Sequence, residues 1–234
     1  MQCRAALGAV WLASVAGNGG AGTVAGRVTL TGTAPERRPL PVTEKACHPG
    51  PFLDESVLAG PGGGLQNVFV RLVSPLPATR PPADKAIVRL EQHGCRFEPH
   101  VFGIRPGQPL EIINADPVLH NIHALAKRGR EFNAAMPPRT APWAIQRTFT
   151  AAETMVQIRC DVHGWMSAWA GVVDHPWFAV SGPDGRFTIP GVPPGTYDVE
   201  AWHEVYGVQR LRLTVRGRLA ATAVFAYNAG THRP

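Results

Sequence analysis

Short runs rich in Val, Ile, Thr, Phe and Trp recur along this chain between clusters of Gly, Pro and Asp, and apolar residues at the three-and-four spacing of an amphipathic helix are hard to find. That punctuation predicts an all-β protein. Expected strands are 24–30, 66–73, 86–92, 101–104, 109–113, 118–125, 145–150, 154–160, 168–174, 177–181, 186–189, 196–203, 208–215 and 220–227, a spacing suited to sandwiches or barrels. The 25 glycines and 23 prolines among 234 residues stay below the roughly 25–30% that marks disorder, so a turn-rich folded chain is the reading. No stretch approaches the roughly 20 apolar residues of a membrane-spanning helix, which excludes a polytopic membrane protein. A formal charge of +6, scattered rather than striped, does not point to nucleic acid.

The chain opens MQCR and then runs apolar from Ala5 to Gly17, with small residues at Ser14, Ala16 and Gly17. Residues 1–17 therefore read as an export signal, with a buried N-terminal element as the alternative because Arg4 is the only positive charge before the run. Export places the mature chain in the periplasm or another extracytoplasmic space, with no transmembrane segment. Cys3 would leave with the signal, and Cys47, Cys95 and Cys160 remain. In an oxidising compartment two of them can pair and the third needs another protection, such as a metal. A Cys47–Cys95 disulfide and two buried thiols are both open at this point, because sequence cannot test the distance between the two backbones.

Two segments interrupt the strands. Residues 31–65 are mostly loop that must drape over something, and 74–84 (SPLPATRPPAD) holds four prolines and reads as a linker. After residue 174 comes a strand, a Pro-Asp-Gly turn, a strand, a Pro-Pro-Gly turn and another strand; Asp184-Gly185 is a strong hairpin signal. Asp184, Gly185, Phe187 and Pro193, Pro194, Gly195, Tyr197 resemble the carboxypeptidase regulatory-like domain, a small transthyretin-like sandwich. Its usual opening strands are similar to Gly26-Arg27-Val28 and Asn67-Val68-Phe69-Val70, far upstream. The expected layout is therefore a discontinuous outer sandwich over 23–80 and 176–227, a second β domain at 84–175 carried between its strands, and a tail at 228–234. Two consecutive domains are the alternative.

The middle segment holds Cys160-Asp-Val-His163-Gly-Trp-Met166, with His120-Asn121-Ile-His123 about forty residues upstream. Two imidazoles, a thiolate and a thioether are the donors of a trigonal copper site with a weak axial Met. Cys160 ends a strand, the short loop after it can fold His163 and Met166 back around one ion, and His120 arrives from a neighbouring strand. These residues resemble the cupredoxins, and among them amicyanin, plastocyanin and pseudoazurin. The Cys-x2-His-x2-Met spacing and His-Asn-x-His are similar to amicyanin, and the approach Pro99 to Asp116 resembles the family's route to its first ligand. The resemblance implies a Greek-key cupredoxin fold, one type 1 copper held by His120, Cys160, His163 and Met166, and an Asn121 that braces the Cys160 loop by hydrogen bonding. The family often has Pro before the first His and after the second, where this chain has Leu119 and Gly164.

Plainer readings stand beside these. Structural zinc usually needs paired Cys-x2-Cys and c-type haem needs Cys-x-x-Cys-His; both are absent. His48, His93, His100, His123 and His203 read as surface or satisfied histidines, with His100 and His123 retained as candidates for a second metal site. Trp165 and Trp169 read as packing beside the site rather than an electron conduit. Lys127, Arg128 and Arg130 form a basic cluster that is either a solvated loop or a guide for an acidic partner. The expectation is an exported blue-copper protein that carries single electrons to a redox partner docking at the His163 face, and not an enzyme. The rivals are an extracytoplasmic binding module for protein or carbohydrate in which copper is structural, and a copper enzyme with a further open metal position.

Overall fold

The computed structural model describes residues 20–46, 52–78, 80, 82, 85–138 and 144–231. It is all-β, with one short 3-10 turn at Pro61–Gly63. The strands are β1 (Gly22–Thr31), β2 (Phe69–Ser74), β3 (Val88–His93), β4 (Arg96–Glu98), β5 (Val101–Ile104), β6 (Leu110–Asn114), β7 (His120–Ala124), β8 (Phe132–Met136), β9 (Ala144–Arg147), β10 (Glu153–Arg159), β11 (Ser167–Val172), β12 (Phe178–Val180), β13 (Arg186–Val192), β14 (Gly195–His203), β15 (Gly207–Val215) and β16 (Ala220–Asn228). The export signal expected at 1–17 and the Cys47 half of the expected disulfide lie outside the described residues.

Strands from the two ends of the chain form one pair of sheets, β13-β1-β16 and β12-β2-β14-β15. Alternation along β1 and β14 turns Val24, Val28, Val199 and Ala201 inward, where they meet Val70, Leu72, Phe187, Ile189, Phe225 and Trp177 in one core. β1 pairs parallel with β16 over its whole length, from Thr23 opposite Ala220 to Thr31 opposite Asn228. The middle strands form a second pair of sheets, β5-β11-β10-β7-β8 and β4-β3-β6-β9. Leu90, Ile104, Ile112, Ile122, Val156, Ile158, Ala168 and Ala170 fill the space between them.

The Asp184-Gly185 turn has a different role from the hairpin the sequence predicts. The turn itself closes tightly, with Gly185 N donating to Gly182 O at 2.8 Å and Gly182 N to Arg186 O at 3.0 Å. The strands on either side then diverge: β12 pairs with β2 and β13 with β1, so the turn is a corner between sheets. Gly185 has φ +77, and a Cβ there would stand 2.1 Å from Val28 O, so glycine is required by both conformation and space. In the Pro-Pro-Gly turn, the Tyr197 hydroxyl donates to Pro193 O at 2.8 Å and closes the loop from within.

The two pairs of sheets interlock. Gly103 on β5 and Gly171 on β11 are direct neighbours in register and together leave a trough without side chains. Phe178 of β12 fills it at Gly103 and Phe69 of β2 at Gly171, the two rings lying 5.7 Å apart. Val101, Met155, Val173, Trp169 and Trp202 complete this joint. Polar contacts reinforce it at one edge, where Glu204 accepts from Trp169 Nε1 at 3.0 Å and pairs with His100 Nε2 at 2.5 Å.

Burial would lower the pKa of His100, but the hydrogen bond to Glu204 and the charges of Glu204 and Glu55 outweigh it and raise the pKa above 6.5. The ion pair therefore stabilises the folded chain fully below pH 6.5 and loses that contribution as pH rises through the raised value. Glu204→Gln is expected to destabilise the chain at pH 6 and to matter much less at pH 9, as read from denaturant midpoints. An equal penalty at both pH values would count against a charged His100.

The segment between β1 and β2 drapes over the middle sheets. It bridges Pro39 to Leu53, and Leu40, Val42 and Phe52 pack on the core that contains Cys160 and Met166. Arg96 clamps it, donating to Leu53 O at 2.9 Å, pairing with Glu55 at 2.6 Å and lying 3.9 Å over the Phe52 ring.

Candidate metal centre

Three pieces of chain converge at one end of the middle sandwich. Alternation on β7 sends His120 inward with Ile122 and Ala124, and alternation on β10 does the same for Val156, Ile158 and then Cys160. The loop after Cys160 folds back on itself, with Met166 N donating to His163 O at 2.9 Å and Cys160 N to Met166 O at 3.2 Å. His120, Cys160, His163 and Met166 are all buried, His163 retaining only 6% exposure.

His120 Nδ1 and His163 Nδ1 face each other at 2.8 Å, and Cys160 Sγ lies 3.9 Å from His163 Nδ1. Two imidazole lone pairs cannot meet at that distance without a shared cation, a proton or a metal ion. His163 is pushed below its usual pKa by burial and by the charge of His120, which leaves it the neutral partner. Burial would raise the Cys160 thiol, but hydrogen bonds from His120 and from the amides of Asn121, His163 and Val162 bring it down. Two imidazoles and a stabilised thiolate fit a copper ion in donor type, burial and spacing.

The sequence reading missed the group that orients His120. Asp116 Oδ2 accepts from His120 Nε2 at 2.8 Å and so reserves Nδ1 for the metal. Burial would raise the Asp116 pKa, but the His120 hydrogen bond and the amides of Cys95 and Gly94, at 2.8 and 2.7 Å, hold it below its usual range. Asn114 builds the loop that carries Asp116: its side-chain amide donates to Val118, Met136 and Pro137 carbonyls, and its oxygen accepts from Asp116 N. The i,i+4 spacing of Asp116 and His120 was visible, but nothing in a strand-and-turn sequence marks it as a contact. Met136, directly across from His120 in the ladder, is a second buried thioether that no motif announced.

Asn121 lies where it can hold the Cys160 loop. Its side-chain oxygen accepts from Asp161 N at 2.5 Å, and its own backbone N points at Cys160 Sγ at 3.5 Å. His123 faces outward between Asp161 at 2.9 Å and Glu131 at 2.7 Å. His100 is engaged by Glu204, and His93 lies 4.0 Å from Glu98 at the surface. Trp165 packs on the His163 ring at 5.0 Å and donates to Cys95 O, whereas Trp169 belongs to the joint with the other sheets.

Cys95 is disulfide-bonded and Cys160 is a free, buried cysteine. Cys95 Sγ, His120 and His163 also form the one group of three metal-capable side chains found among the described residues, their donor atoms all within 4.8 Å. A sulfur locked in a disulfide carries no thiolate charge, so in this state Cys160 is the sulfur donor available to those imidazoles.

His163 keeps 6% of its surface exposed, and the exposed apolar side chains next to the two histidines in sequence are Leu119 and Val162. Lys127, Arg128 and Arg130 sit at the far end of β7, about 13 Å along the strand from His120, so they do not border the centre. The amides of Lys127 and Arg128 cap the Glu153 carboxylate at 2.8 Å, which explains that loop structurally.

No family model matches the chain, and no curated protein does. Among the solved structures that align are copper proteins. An oxidised amicyanin variant aligns at 20% identity over 44% of this chain and 98% of its own, with a TM-score of 0.33. A purple cupredoxin from Nitrosopumilus maritimus aligns at 21% identity over 37% of this chain and 99% of its own, with a TM-score of 0.30. A copper-containing nitrite reductase from Thermus scotoductus aligns at 19% identity over 52% of this chain and 27% of its own, with a TM-score of 0.31. At these scores the likenesses add nothing to the donor geometry, which carries the functional reading by itself. No helix among the described residues is long and apolar enough to cross a membrane.

Proposed function

We propose that the chain is an exported type 1 copper protein that carries single electrons by outer-sphere transfer, with His120, Cys160, His163 and Met166 as ligands. The observation that carries this is the facing pair of Nδ1 atoms at 2.8 Å beside a thiol whose burial is offset by four hydrogen bonds. A copper ion held there supplies a one-electron couple. The chain's own part is to keep the donors fixed through both oxidation states: Asp116 holds His120, the Asn121–Asp161 bond holds the Cys160 loop, and the packed core around Met166 excludes water. A redox partner would dock at the His163 face over Leu119 and Val162, the exposed apolar side chains beside the two histidines in sequence. The end-of-chain strands are an accessory sandwich, similar in its turn motifs to carboxypeptidase regulatory-like domains.

Adding Cu(II) to the full chain, disulfide intact, is expected to give an intense visible band that bleaches with ascorbate and returns on reoxidation. One observation favours the rival in which copper is structural: with 6% of its surface exposed, His163 offers only a small ligand edge to solvent. Copper that raises the unfolding midpoint but never cycles would decide for that rival. Asp116→Asn tests the positioning group. Removing the carboxylate charge behind His120 is expected to raise the reduction potential by roughly 60 mV, the equivalent of about 1.4 kcal/mol for one electron. An unchanged potential would reduce Asp116 to a loop-building role.

A further inference from the structure

Cys95 sits at the turn between β3 and β4, wholly buried, and touches the supports of both imidazoles. Its amide and that of Gly94 bind Asp116, which holds His120; its carbonyl accepts from Trp165, which packs on His163. Its sulfur lies 3.9 Å from His120 Nε2, the nitrogen that Asp116 holds rather than the one that faces His163, and one donor atom of each histidine falls within 4.8 Å of it, so ligation by Cys95 requires the His120 ring to shift from Asp116. Two donors on one ion are separated by at most about twice a metal–ligand distance, roughly 4.0–4.6 Å for nitrogen and sulfur ligands. The triad therefore comes close to bridging range as it stands.

We propose that Cys95, once its disulfide is reduced, is a second thiolate ligand that competes with Cys160 for a copper ion at His120 and His163. The inference rests on the copper reading above. The reductant is a dithiol: one of its thiolates attacks the disulfide to form a mixed disulfide, and its second thiol displaces the remaining protein sulfur. Two electrons and two protons pass to the protein, and the reagent leaves as its own cyclic disulfide. The backbone bonds to Asp116 and Trp165 do not involve the sulfur, so they keep Cys95 beside the imidazoles afterwards. Thiolates favour Cu(I), so the reduced chain holds Cu(I) more tightly than the disulfide form, and the centre responds to the thiol status of its surroundings.

The test uses the full chain carrying Cys160→Ser, reduced with dithiothreitol, desalted without oxygen, and compared with the unreduced sample. Cu(I) affinity is read by competition with a chromophoric chelator, and free thiols are located by alkylation and mass analysis. Reduction is expected to tighten Cu(I) binding by roughly tenfold or more, the equivalent of about 1.4 kcal/mol. The gain should vanish in the Cys160→Ser, Cys95→Ser double variant and in its Cys95→Ala counterpart. No gain with Cys95 alkylatable overturns the proposal, as does a gain that survives loss of Cys95, or a Cys95 that dithiothreitol never frees. The Cu(II) band of the disulfide-intact wild type decides the copper reading separately. A chain with that band and a flat Cu(I) response would retain the centre and lose the second thiolate.

Discussion

Cys160→Ser is expected to abolish the intense visible band that Cu(II) gives with the wild-type chain, and to leave the backbone fold intact. The band requires a thiolate bonded to the ion, and Cys160 is the free cysteine at the site, lowered in pKa by hydrogen bonds from His120 and three backbone amides. Serine nearly matches cysteine in volume, so the packing around a side chain that is 1% exposed should survive. Its hydroxyl is a poor ligand for copper in either oxidation state. Copper affinity, measured by chelator competition, should fall by more than the roughly 10–100-fold typical of losing a supporting partner. Circular dichroism checks the fold in the same samples. A persistent band in a folded variant would mean that another sulfur binds the ion and would sink the assignment.

Trp177→Ala is expected to give the largest loss of stability of any single change outside the centre. Trp177 is among the largest fully buried side chains, packs with Val24, Leu72 and Phe187, and donates from its indole to Gly191 O at 2.9 Å. Its amide donates to His175 Nδ1 at 3.2 Å, and the two rings stack at 5.7 Å. Truncation opens a cavity in that core, a loss of about 3–5 kcal/mol. Urea unfolding with the copper band as one probe and far-ultraviolet signal as another would register it. A shift worth under about 1 kcal/mol would show that the outer sheets can collapse around the gap.

Much of the strand order could be read from the chain because β-branched runs are bounded by turn residues whose chemistry is local. β5, β14, β15 and β16 fall within a residue or two of expectation for that reason. β4 and β8 escaped: Arg96–Glu98 is only three residues, and Phe132–Met136 (FNAAM) has Asn and two alanines, residues of low β propensity, at its centre. Their strand state is imposed by neighbours, Glu91 to His93 for the one and His120 to Ala124 for the other. The Cys160–Met166 loop was legible because its donors are close in sequence. Asp116 and Cys95 were not recognised as neighbours of the centre, because their places depend on a turn with φ +54 at Cys95 and on hydrogen bonds between loops. The same holds for the cover that Leu40, Val42 and Phe52 make over the core containing Cys160 and Met166, since a proline-rich segment gives no sign of what it will lie on.

The parallel pairing of β1 with β16 also sets an order of events during synthesis. β1, the first of the described strands, has its two sheet partners, β13 and β16, late in the sequence. It must wait, with both edges bare, until almost everything else has been made. The strands of the middle sandwich pair only with one another between Val88 and Val172, so its loops close over shorter stretches and its sheets can form while the outer strands are still apart. The Gly103–Gly171 trough would then be finished before Phe69 and Phe178 have a sheet to hold them in place. In that sequence the half that holds the candidate metal centre acts as the mould on which the outer half is cast.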